Sequence, residues 1–188
     1  MTQKEYLRKA IEVVTFLFAA FSGYLKGIAP PEERSATFAT GLASFLALVI
    51  FLLISGVSRG TAPQKQKALW LRLAAALFVV CAVSGLAYKH ELDQLTFPYP
   101  SDSDGAQYIA GTVPTQMAKP YFDKDYSASQ VVAKFGGPEN KQLVWTQESI
   151  NRAGMLLTTL YLVLVVSLAA TIFSLTEIVL PKTASNAT

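Results

Sequence analysis

The sequence predicts an all-α membrane protein: four transmembrane helices, with an extracytoplasmic insert that is α+β or irregular between the third and the fourth. Three observations carry that prediction. Residues Ala153 to Thr176 form an uninterrupted run without a charge, 24 residues long, enough for roughly 36 Å of helix. Three more apolar runs precede it, separated by short polar connectors, and one mixed-charge block breaks the pattern at 89–152. With 52% hydrophobic and 15% charged residues among 188, the composition is too apolar for an ordinary soluble domain.

The spans fall at about 10–28, 37–58, 69–88 and 153–180, and the chain reads as a single membrane domain with an insert. In the first, only Val13 to Leu25 is uncharged, about 20 Å of helix. Glu12 interrupts its start and no small-residue cleavage pattern precedes Pro30-Pro31, so it reads as an uncleaved span rather than a signal peptide. Thr15, Ala19, Gly23 and Gly27 recur at every fourth position, a small-residue face against which another helix packs closely, within one chain or between copies. The prolines at 30 and 31 end this span. Ser35 to Ser58 then runs uncharged for 24 residues.

Arg59, Lys65, Lys67 and Arg72 make the next connector basic, with no carboxylate, and Gly60 and Pro63 keep it from being helical throughout. The third span carries Ala74, Ala75, Ala76, Ala82, Ser84 and Gly85, which predicts helical neighbours on more than one side. Thr146 is an N-cap candidate for the fourth span, Glu148 supplies an acidic first turn, and Pro181 supplies a stop.

Orientation follows from Lys and Arg on the short flanks. Lys4, Arg8, Lys9, the four basic residues of the connector and Lys182 fall on one side, against Lys26 and Arg34 on the other. Both termini are therefore expected in the cytoplasm and residues 89–152 outside it. Within the insert, His90 to Gly105 reads as an extended or looping arm, Gln107 to Val113 as a short strand and Pro114 to Tyr121 as a helical turn. Ser127 to Phe135 reads as a capped helix ending at Gly136-Gly137, and Leu143 to Trp145 as a strand. At this size and without a disulfide, the insert is expected to lean on the membrane or on other copies.

Chemistry is sparse. Cys81 is the single cysteine, so neither an intrachain disulfide nor a CxxC site exists, and a packed apolar role suits it. Asp102-Ser103-Asp104-Gly105 lacks the later ligands of a calcium loop, and Asp123 and Asp125 flank Lys124 as surface charge. His90 has no second titratable group at a fixed spacing. No GxSxG, HExxH, P-loop or GxGxxG motif is present, and the net charge of +3 forms no long basic run. The expectation is a non-enzymatic protein with no catalytic residue, cofactor or metal, whose partners are the lipid bilayer, further copies or another membrane protein, and no nucleic acid. An acidic residue in the first span is shared with the small multidrug exporters, but the neighbouring residues and the long insert depart from them, and no role is carried over.

Two functions fit such a chain. One is a pore, ion channel or membrane-perturbing effector of a cell inner membrane, assembled as an oligomer of four-helix bundles. The other is an anchored accessory or binding subunit whose insert docks a partner. For the first, Glu12, Arg72 and Glu177 form an expected charge cluster near the inner interface. Ser167, Ala170 and Ser174, on one stripe with Glu177, are the pore-lining candidates.

The orientation is tested with single cysteines in a Cys81→Ala background. Ser103→Cys is expected to react with an impermeant maleimide in intact cells and Ser58→Cys only after lysis; the opposite pattern inverts the topology.

Overall fold

The computed structural model describes residues 29–31, 33–58, 63–99 and 106–179. The span read at 10–28 lies outside them. Three long helices dominate: α1 (Glu33–Ser58), α2 (Pro63–Leu95) and α6 (Gln147–Val179). Each contains a stretch long and apolar enough to cross a membrane, Ala36–Ile54, Lys67–Leu95 and Gln147–Thr176. Between α2 and α6 lie β1 (Thr96–Pro98), β2 (Gln107–Ile109), α3 (Lys119–Phe122), α4 (Ala128–Lys134) and α5 (Lys141–Val144), with a 3-10 turn at Pro138–Asn140.

The helices overrun the spans read from hydropathy. α2 begins at Pro63, six residues before the expected start, because proline is pre-organised for a helix's first turn and lacks only a donor that has no partner there. The basic connector is thus helical over most of its length. At the other end α2 passes Tyr88 and continues through Lys89, His90 and Glu91 to Leu95. Charge marks where an apolar environment ends, whereas a helix ends only where its backbone pairing does. α6 starts at Gln147, directly after Thr146 as its capping signals imply.

α6 is the spine. The buried stripe of α1 is Ala39, Ala43, Ala47, Phe51 and Ile54, three alanines spaced by four that bring its backbone close to α6. Thr40 Oγ1, which donates to Ala36 O at 2.7 Å, is also the hydrogen-bond partner of the Tyr161 hydroxyl. Lower down, Phe51 meets Phe173 edge to face with ring centroids 4.9 Å apart. α1 therefore runs parallel to α6. α2 runs antiparallel to it: Tyr88 lies beside Tyr161 at 6.0 Å, Cys81 Sγ lies 3.9 Å from Leu164 O, and Trp70 shares a cluster with Phe173. Among the described residues α2 packs along a single stripe, Trp70, Ala74, Ser84, Tyr88 and Leu95. Ala75, Ala76 and Ala82 are exposed, and the described residues cover only this one side of α2.

The segment between α2 and α6 builds a small cap. β1 and β2 pair antiparallel, Phe97 opposite Tyr108, where the sequence suggested an extended arm, and the strand expected over Gln107 to Val113 stops at Ile109. α4 matches its reading: Ser127 and Gln130 form a reciprocal capping box, and Gly136 and Gly137 end the turn at φ 91° and 102°, which glycine adopts without strain. Leu143 to Trp145 is not a strand. Residues 141–144 form the helical turn α5, and only Trp145 bridges to Pro114, whose missing N–H limits any longer ladder. Thr115 takes over that pairing, donating its N–H to Val144 O at 2.9 Å and its hydroxyl to Leu143 O at 2.6 Å.

Rings fill the cap. Trp145 sits 5.5 Å from Phe97 and 5.9 Å from Phe122, over fully buried Val131, Val132 and Val144. This core is continuous with Ile150, Ala153, Leu157 and Tyr161 of α6 and with Tyr88 of α2. Gly111 makes the closest approach, since a Cβ there would collide with Ser149 Oγ and the Trp145 side chain. Gly111→Ala is expected to destabilise the protein by about 1–3 kcal/mol. Gly41→Ala, in a helix with open space at its Cβ among the described residues, is expected to cost nothing or to stabilise slightly. Denaturant unfolding in detergent micelles, followed by tryptophan fluorescence, compares the two.

Candidate functional site

Hydroxyl groups line the contact between the three long helices. On α6 these are Ser167, Thr171 and Ser174, with exposures of 3%, 6% and 0%. α2 contributes Ser84, and α1 contributes Thr40 and Ser44. On α6 their spacing is that of one helical face, and all are short side chains that let neighbouring helices come close. Every one of these hydroxyls donates to a carbonyl in the preceding turn of its own helix: Ser167 to Leu164 at 3.0 Å, Thr171 to Ser167 at 2.8 Å, Ser174 to Ala170 at 2.8 Å and Ser44 to Thr40 at 2.8 Å. Such bonds satisfy the donor without a partner helix, so the groups act as small packing residues with a covered polar end.

The three residues singled out for a pore wall are therefore in this seam. Ser167, Ala170 and Ser174 are all buried within one chain, with Ala170 and Phe173 in the cluster that holds Phe51, Ile54 and Trp70. Arg72 lies one residue pair beyond Trp70 and is exposed. Glu177 lies in the last turns of α6, of which only the backbone is described. Glu12 and the small-residue face of Thr15, Ala19, Gly23 and Gly27 lie outside the described residues. Trp70, which its place at the start of the third apolar run marks as an aromatic-belt residue, is buried instead, its indole Nε1 with no acceptor among the described residues.

At the opposite end, Tyr88, Tyr161 and Thr40 join all three helices at one level. Periodicity placed none of them at a junction, because a tyrosine near the end of an apolar run reads equally as an interfacial anchor. In the cap, Lys134 Nζ lies 4.2 Å from the centroid of Tyr126 and 5.0 Å from that of Tyr121, cation–π contacts that hold α4 to the turn after α3. Asp123 and Asp125 are exposed in that turn. His90 Nε2 lies 3.1 Å from Gln94 Nε2 on the surface of α2. Among the described residues no three His, Cys, Asp or Glu side chains gather as metal ligands.

No protein-family model matches the chain, and no curated protein or solved structure is significantly similar to it.

Substitution separates packing from polarity in the seam. Ser167→Ala and Ser174→Ala are expected to change stability by less than about 1 kcal/mol, since each hydroxyl serves only its own helix. Ala170→Leu is expected to cost about 1–3 kcal/mol by pushing α6 off its neighbours. Unfolding in mixed detergent micelles measures all three, and a large loss from either serine substitution overturns the assignment.

Proposed function

We propose that this is an integral membrane protein with cytoplasmic termini that anchors its cap, residues 96–146, outside the membrane as a docking module for another protein. The observation that carries this reading is the burial of Ser167, Ala170 and Ser174 inside a single chain. Residues committed to holding α1, α2 and α6 together are not free to face a water-filled lumen. What the chain does present is a cap with its own aromatic core, continuous with the helices that carry it. Val113, Met117 and Leu143 are exposed on the cap at 52%, 67% and 44%, on two segments joined by the pairing of Thr115 with Leu143 and Val144. Small apolar clusters on an otherwise polar unit are where protein partners anchor.

The oligomeric pore is the competing function, and one set of measurements decides between them. The detergent-purified protein is expected to be a monomer or small assembly that leaves planar bilayers electrically silent. A photo-crosslinking residue at Met117 is expected to trap one defined protein in cells, whereas the same residue at exposed Lys124 traps none. A closed ring with cation-selective conductance, reduced by Glu12→Gln or Glu177→Gln, overturns the docking reading in favour of the pore.

A further inference from the structure

The helix registers fix a depth that hydropathy alone misplaces. Tyr88 of α2 is level with Tyr161 of α6, and Tyr161 is tied to Thr40 of α1. Immediately above this level α2 turns polar: Lys89, His90, Asp93 and Gln94 are all exposed. Alongside them α6 remains apolar. Met155 is 66% and Leu156 41% exposed, and Thr159 is exposed as well. The cap holds this relation in place, because Ile109 Cδ1 lies 3.6 Å from the Cβ position of Gly154 and the Ala110 N–H bonds Leu95 O at 2.8 Å. The end of α2 and the residues around Gly154 therefore share one height. Hydrocarbon reaching Ala153, where the charge-free run begins, would also engulf Lys89 and Asp93 on the helix beside it, an expensive place for charges that have no ion-pair partner among the described residues.

We infer that the outer hydrocarbon boundary crosses α6 at Tyr161 rather than at Ala153, and that the two helices above it form a collar for phospholipid headgroups. This rests on the membrane reading given above. Between Arg72 and Lys89 the uncharged part of α2, Leu73 to Tyr88, spans about 24 Å. From Tyr161 up to Met155 is six residues, about 9 Å, which places the Met155 and Leu156 side chains in the headgroup layer, where apolar groups insert by about 5–10 Å. The charges at this height are mixed. On α2, Lys89 lies within four residues of Glu91 and Asp93, level with the stretch of α6 from Met155 to Leu160. Such a surface suits a zwitterionic headgroup, whose phosphate and ammonium meet opposite charges within a few ångströms, rather than an anionic one.

Spin labels at Met155→Cys, Leu156→Cys and Val163→Cys, each in a Cys81→Ala background in phosphatidylcholine vesicles, test the boundary. Relaxation by a polar nickel chelate against relaxation by oxygen reports depth. Labels at 155 and 156 are expected at headgroup depth with at least a threefold higher polar-to-apolar accessibility ratio than the label at 163, and the ratio is expected to hold when anionic lipid is added. Equal ratios at the three sites put Ala153 to Tyr161 in hydrocarbon and overturn the inference, as does a label at 155 with the accessibility of free water. A protein extracted from vesicles by alkaline carbonate would instead remove the membrane reading itself, so the two failures are distinguishable.

Discussion

The close approach of α1 and α2 to α6 is the constraint on which the rest depends. In lipid there is no hydrophobic gain from bringing apolar helices together, so what holds them is the density of contact between their surfaces. Ala39, Ala43 and Ala47 allow that density by withdrawing side-chain bulk from one stripe of α1, and all three are almost completely buried. Small residues alone set no position along the axis, because a stripe with a four-residue repeat can slide by one turn. The register is set by groups that fit in one place: Tyr161 on Thr40 near one end and Phe51 on Phe173 near the other.

The cap inherits its stability from the same spine. A segment of this size buries too little surface to offset its conformational entropy, and it contains no cysteine to restrict the unfolded chain. Its solution is to borrow core from the helices that enter and leave it. Ile150, Ala153 and Leu157 of α6 face Phe97, Ile109 and Trp145, so one hydrophobic cluster runs from the cap into the bundle. Gly111 permits the joint, and the Val113 carbonyl closes it by accepting the Thr146 N–H at 3.0 Å where α6 begins.

Much of this was legible in the sequence, and the misses have one cause. Runs without charge located α1, α2 and α6, and local capping chemistry located α4, since Ser127, Gln130 and the paired glycines act within a few residues of one another. Helix ends on α2 were misread because hydropathy responds to the surroundings of side chains while helix length responds to backbone pairing, and Lys89 to Leu95 satisfies the second without the first. The expected strand at Leu143 to Trp145 has strand-forming residues, yet its partner segment contains Pro114, and tertiary pairing outranks local propensity. In the seam, periodicity puts Ser167, Ala170 and Ser174 on one stripe, and all three are buried. Periodicity says which residues share a face, however, and not whether that face meets protein, lipid or water.

The interior hydroxyls show what that distinction means physically. A polar side chain in an apolar bundle is often read as a conduction path, but conduction requires groups whose hydrogen-bonding capacity is available to a passing ion or water. Here the donors of Ser167, Thr171 and Ser174 are spent on carbonyls of the preceding turn, and all three residues are buried within one chain. That bond is what makes serine and threonine tolerable in an apolar interior without a partner helix. If the boundary lies at Tyr161, the layer the helices must cross is also thinner than the usual 30 Å or so, near the 24 Å of uncharged α2. Against that ruler the uncharged stretch Val13 to Leu25, at about 20 Å, ceases to be anomalously short, and the Glu12 and Lys26 that bracket it match the Arg72 and Lys89 that bracket α2. Charge placement, rather than the length of any apolar run, is then the quantity that sets the thickness of bilayer this chain is built for.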